Sequence, residues 1–182
     1  MKKTLITLCL IALGLTAAAA QEKKENSAGN FQPEVKRGEM RKLAKLLGKW
    51  SGEGWMQMGA SREEFTGTEN VQLKLDGLAT LIEGRFTAKK EPEKVIHETL
   101  AVLSYNPKTN IYDFKTYLAN GSGGDFTLSA TESGYEWGMN FPGTKILYTI
   151  IIKNGVWNEI GKMSRDDGKT WFQFFEMNLK KL

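Results

Sequence analysis

Tight-turn signals recur along this chain too closely to leave room for parallel crossovers. They fall at Gly59-Ala60, Asp76-Gly77, Asn106-Pro107, Asn120 to Gly124, Ser133-Gly134, Pro142-Gly143, Asn154-Gly155 and Asp167-Gly168, with one further charged break from Ala88 to Lys94 around Pro92. The runs between them are rich in Val, Ile, Thr, Tyr, Phe and Trp, as hairpin strands are. Nine breaks therefore separate ten strands, each joined to the next by a connection too short for a parallel partner. A ten-stranded meander either closes on itself or leaves two edges open to pairing, and closure removes both. The expectation is an all-β fold, one ten-stranded antiparallel up-and-down β-barrel.

Two-residue turns also fix register, so the inward faces can be worked out. Centring turns on Asn154-Gly155, Asp167-Gly168 and Pro142-Gly143 sets Ile152 opposite Trp157, Ile150 opposite Glu159, Met163 opposite Phe172, Gly161 opposite Phe174, Glu159 opposite Glu176, and Tyr148 opposite Trp137. One face of these strands then carries Tyr135, Trp137, Tyr148, Ile150, Trp157, Phe172 and Phe174, and the other is mostly Lys, Asn and Gln. The aromatic face must be the interior. The same arithmetic pairs Tyr105 with Tyr112, Leu103 with Phe114, Leu73 with Thr80 and Val71 with Ile82, which sends His97 and Glu69 inward.

The interior so defined is apolar and aromatic, with Glu69, His97, Tyr112, Tyr135, Trp137, Tyr148, Glu159 and Glu176 as candidate cavity-lining residues. Glu159 facing Glu176 stands out, because like charges directly opposite destabilise a sheet and a buried carboxylate without a partner is costly. An unseen Arg or Lys, water in a wet lumen, or a ligand would each account for the pair. The outward face of the last strands is expected to carry an apolar stripe of Leu147, Ile151, Val156, Ile160, Phe175 and Met177, suited to a homodimer or to helix cover.

Before the strands, Met40, Leu43, Leu46 and Leu47 fall at helical spacing and predict a short helix from Gly38 to Leu47. Residues 21–37 are polar, charged and aperiodic, and read as a disordered leader. Residues 1–20 have the form of a secretory signal: Lys2 and Lys3, an apolar run from Leu5 to Leu15, and Ala18 to Ala20 ahead of a cleavage point near Ala20-Gln21. The apolar run is shorter than the roughly 20 residues a membrane span needs. The expected destination is the periplasm or the exterior, with no transmembrane segment after processing. Cys9 is the one cysteine and follows Leu8 rather than a small residue, so no lipid anchor is expected, and the barrel can hold no disulfide or Cys-based metal site. The formal net charge is +4, two of those charges lie in the signal, and bases are scattered among acids. That balance argues against a nucleic-acid partner.

Leu46-Leu47-Gly48-Lys49-Trp50-Ser51-Gly52, following the short helix, resembles the Gly-x-Trp signature that opens barrels of the calycin superfamily, which includes lipocalins, fatty-acid-binding proteins and ten-stranded nitrobindin-like barrels. The chain looks most similar to secreted bacterial lipocalin-like domains, over about residues 38–182. The resemblance implies that Trp50 closes the base of the barrel, with the helix as its plug. Nitrobindin-like barrels hold haem through a histidine near the C-terminus. This chain has no histidine after His97, so no haem, and no other cofactor or metal, is expected. Ser164-Arg165-Asp166-Asp167-Gly168-Lys169-Thr170-Trp171 matches the Asp-box pattern of sialidase propellers. It occurs once, and Asp166, Gly168 and Trp171 are read as a hairpin staple.

No phosphate loop, nucleophile elbow or His-Glu-x-x-His motif is present. The leading functional expectation is an exported barrel that binds a small apolar or amphipathic molecule carrying a hydroxyl or amine. The alternatives are a dimerising or partner-binding domain with a filled core, and a small enzyme using inward Glu or His97 in acid–base work.

Overall fold

The computed structural model describes residues 32–57 and 59–182. The expected export signal, its cleavage point and the leader up to residue 31 lie outside the described residues. Ten strands follow a short helix: β1 (Gly48–Gln57), β2 (Arg62–Lys74), β3 (Ala79–Ala88), β4 (Glu91–Asn106), β5 (Ile111–Leu118), β6 (Gly123–Ala130), β7 (Tyr135–Phe141), β8 (Thr144–Lys153), β9 (Val156–Ser164) and β10 (Phe172–Lys181). Each pairs antiparallel with its neighbour in sequence, and β1 pairs with β10 from Trp50↔Lys181 to Met56↔Phe175, closing the barrel. Closure removes the two open edges that a ten-stranded meander would otherwise present.

The registers set by the tight turns hold over most of the barrel. Ile152 faces Trp157, Tyr148 faces Trp137, Tyr105 faces Tyr112 and Val71 faces Ile82. At Asn154-Gly155 both residues take positive φ, 53° and 72°, the geometry that matches the right-handed twist of the flanking strands.

Between β9 and β10 the expectation fails. Phe172 faces Met163 as expected, but a bulge between Gln173 and Phe175 inserts one residue, so Gly161 faces Phe175 and Glu159 faces Met177. Because side chains alternate, one extra residue moves every later side chain to the other face. Glu176 therefore lies outside, where Gln173 and Asn178 donate to its carboxylate at 3.1 and 3.2 Å. Phe175 and Met177 turn inward, and Met177 is fully buried. The outer apolar stripe is reduced to Leu147, Ile151, Val156 and Ile160. Phe172 is left exposed near the start of β10, beneath Arg165.

Two smaller departures concern the N-terminal half. The break expected from Ala88 to Lys94 shrinks to Lys89-Lys90, and Pro92 sits inside β4 where the pairing with β3 is irregular. The helix, α1 (Pro33–Arg41), starts five residues earlier than the periodicity predicts and stops sooner, with a separate 3₁₀ turn over Ala44–Leu46. Pro33 at its first turn and Glu34 beside the N-terminal dipole account for the earlier start.

The helix and 3₁₀ turn plug one end of the barrel. Met40, Leu43 and Leu46 are fully buried there with Trp50, whose indole N–H donates to the Leu46 carbonyl at 2.8 Å. Arg37 ties the helix to the β2–β3 turn, donating to the Asp76 carbonyl and carboxylate at 2.8 and 2.7 Å. Trp50 thus closes the base in the way the Gly-x-Trp resemblance implies.

Candidate functional site

Inside the barrel is a cavity of about 630 Å³. Its wall is aromatic. Trp137 and Tyr148 stack at 4.2 Å and 8°, Phe114 meets Trp137 edge-on at 5.2 Å, and Phe175 lies 5.7 Å from both Tyr148 and Phe65. Inward glycines make room for these rings. A Cβ on Gly67 would fall within 2.0 Å of Phe86, and one on Gly161 within 2.8 Å of Tyr148. Small residues under large rings let ten inward faces coil around one space.

Two carboxyl groups face this apolar space. Glu159, on β9, is buried and held from two sides: Trp137 Nε1–H donates to Oε1 at 3.1 Å, and Trp157 Nε1–H donates to Oε2 at 3.2 Å. Burial raises its pKa to about 7, and the two indole donors, which favour the ionised form, keep it from rising further. Glu69, on β2, is 8% exposed. Its carboxyl lies over Gly84 of β3, so close that a Cβ there would be 2.7 Å from Oε1. Glu69 Oε2 is buried without any hydrogen-bond partner among the described residues. Burial, and then the charge of Glu159, raise the pKa of Glu69 to about 8. The charge of an ionised Glu159 opposes ionisation of Glu69.

These acids lack a basic partner. Among the described residues lining the cavity, none is Lys or Arg. Asp125 also borders the cavity, but its carboxylate pairs with Lys115 at 3.2 Å on the outer face. His97, on β4, lines the cavity with its ring 5.8 Å from that of Phe86, and burial lowers its pKa below the ordinary value. No hydrogen bond joins it to Glu69 or Glu159 among the described residues.

Of the residues expected to line the cavity, the structure brings Glu69, His97, Trp137, Tyr148 and Glu159 together around it. Glu176 is outside, for the reason given above. Tyr112 and Tyr135 point inward but serve the plug. Tyr112 Oη donates to the Glu39 carbonyl at 3.1 Å and lies 3.3 Å from its carboxylate, and Tyr135 Oη donates to the Lys42 carbonyl at 2.9 Å. Both stand at the base ends of β5 and β7, where an inward side chain meets the helix rather than open space. Phe175 and Met177, expected outside, also line the cavity, and Trp157, read from sequence as core, is the carboxyl-holding residue missed. Only the placement of Glu159 two residues along the same inward face signals its role.

The hairpin staple has the expected form. Ser164 Oγ and Asp166 hold the turn: Ser164 donates to Asp166 Oδ1 at 2.7 Å, Gly168 N–H donates to Ser164 Oγ at 2.8 Å, and Thr170 Oγ1 donates to Asp166 Oδ2 at 2.7 Å. Donors from Thr170 and Ser164 hold the Asp166 pKa down to about 2. Trp171 is half exposed and caps the turn by donating to the Gly168 carbonyl at 3.0 Å.

No family model matches the chain, and no curated protein matches it. Among solved structures, the chain is similar to Rv2717c from M. tuberculosis, with 14% identity, a TM-score of 0.58, and coverage of 79% of this chain and 96% of that one. At that identity the likeness is one of fold. No helix among the described residues is long and apolar enough to cross a membrane.

Proposed function

We propose that this chain is an exported, lipocalin-like barrel that binds a small apolar or amphipathic molecule in its interior, without haem or metal. One observation carries the reading: a 630 Å³ space with an aromatic wall contains a buried carboxyl oxygen, Glu69 Oε2, that has no partner among the described residues. Buried polar atoms are almost always satisfied, and an orphan facing a cavity of drug-sized volume is what a ligand group would complete. The signal-like residues 1–20 support export, and a base sealed by the plug supports entry from the other end.

The other readings have less behind them. Acid–base catalysis needs a base placed against an acid or a substrate, and among the described residues His97 makes no hydrogen bond to either carboxyl. A dimer through the outer face loses Phe175 and Met177 from its stripe. The test is a fluorescence titration with the neutral probe N-phenyl-1-naphthylamine. Saturable, one-to-one enhancement with micromolar or tighter affinity is expected. Absence of saturable binding removes the reading.

A further inference from the structure

Resting on that reading, we infer that the ligand is a lipophilic amine, bound as its ammonium with the charged nitrogen between Glu69 and Glu159 and its apolar body against Trp137, Tyr148 and Phe175. Two carboxyl groups project into the cavity while no Lys or Arg lines it among the described residues. A ligand carboxylate or phosphate would therefore add like charge to a site with no counter-charge, inside an apolar wall where such repulsion is poorly screened. A neutral ligand would avoid that repulsion but leave an ionised Glu159 without a counter-charge. An organic cation supplies what is missing.

Hydrogen-bond geometry narrows the class. Each Glu159 oxygen already accepts one indole N–H, and each keeps a further lone pair. Neither oxygen of Glu69 accepts a hydrogen bond among the described residues. Glu159 thus offers two free acceptor positions, and Glu69 offers oxygens that no described residue engages. An ammonium brings three N–H donors and no acceptor, so it can serve both carboxylates at once. An alcohol brings one donor, and a quaternary ammonium brings none. The surrounding rings suit a cation as well, since aromatic faces attract positive charge and the stacked Trp137–Tyr148 pair stands beside Glu159. Gly84 has its part: without a Cβ it lets the Glu69 carboxyl lie flat against β3 at the cavity wall.

The test compares three probes that share one ring system: 2-(1-naphthyl)ethylamine, 2-(1-naphthyl)ethanol and 1-naphthylacetate, each titrated at pH 7.5 by displacement of N-phenyl-1-naphthylamine. Because charge-assisted hydrogen bonds are about twice as strong as neutral ones, the amine is expected to bind roughly tenfold tighter than the alcohol, and the acetate more weakly than both. Glu69→Gln and Glu159→Gln should each bring amine and alcohol to within about threefold of one another while N-phenyl-1-naphthylamine still binds. Alcohol or acetate binding as tightly as the amine overturns the amine inference and leaves the binding barrel standing. So does an amine preference that survives both variants. Failure of all three compounds and of the neutral probe overturns both.

Discussion

Glu69→Gln is the perturbation with the most calculable outcome. The carboxyl moves from an ordinary 4.5 in the unfolded chain to about 8 in the barrel. Below pH 4.5 both states carry the proton and its burial costs nothing in pH-dependent terms. Between 4.5 and 8 the unfolded chain releases the proton while the folded one keeps it, so wild-type stability falls as pH rises. Above 8 the cost levels off. At about 1.4 kcal/mol for each tenfold difference in proton affinity, the full penalty is about 4–5 kcal/mol. Glutamine keeps the shape and cannot ionise, but its NH₂ enters a place without an acceptor, costing about 1 kcal/mol. The variant should therefore be about 1 kcal/mol less stable than wild type at pH 4. The two should be equal near pH 5. By pH 9 the variant should be more stable by about 3–4 kcal/mol. Glu159, His97 and Tyr148 also face the cavity and are common to both proteins, so their own titrations largely cancel in the difference. Urea denaturation followed by circular dichroism across pH 4–9 measures it. A stability difference that stays flat with pH would refute the buried, unpartnered state of Glu69.

Other outcomes follow from the same geometry. Trp157→Phe leaves Glu159 Oε2 without its donor and should cost about 1–3 kcal/mol at pH 8, where Glu159 is ionised, and less at pH 6; paired urea curves decide it. Naphthylethylamine affinity should rise as pH climbs from 6 to 8, because the raised Glu159 and Glu69 carboxyls ionise around that interval while burial disfavours a competing charge on His97 and ionisation of Tyr148; calorimetric titration at three pH values would show a flat profile if the carboxyls were not engaged. Tyr135→Phe removes the bond to the Lys42 carbonyl and should cost about 1 kcal/mol. Its mark should be faster hydrogen exchange over residues 33–46, with probe affinity unchanged. Asp166→Ala should lower the melting temperature at pH 7, and the loss should shrink toward pH 2, since a carboxyl held at about 2 stabilises only while ionised.

How much was legible beforehand depends on the kind of signal. Ten strands and most of the pairing could be read because Asn-Gly and Asp-Gly turns count residues: once Asn154-Gly155 is centred, Trp157 and Glu159 can only point inward. The bulge at Phe174 carries no turn residue, so counting runs through it and misplaces Glu176. A weaker clue was present. Beyond the bulge the apolar residues are Phe175, Met177 and Leu179, with Glu176, Asn178 and Lys180 between them, so polarity had changed parity after Phe174. Tyr112 and Tyr135 show a different limit. Period-2 alternation says which way a side chain points, not how far along the barrel it stands, and these two stand where the helix fills the end. The pairing of Glu69 with Glu159 was invisible for a third reason. They lie on β2 and β9, whose separation around the barrel depends on closure and not on any local register.

Whether the barrel interior holds a small molecule can be read from native mass spectrometry of the protein purified from its own export route. The expected mass exceeds that of the polypeptide by one small molecule, lost on denaturation and restored as a one-to-one complex by naphthylethylamine. A spectrum at the bare polypeptide mass that naphthylethylamine and N-phenyl-1-naphthylamine both leave unchanged would contradict it.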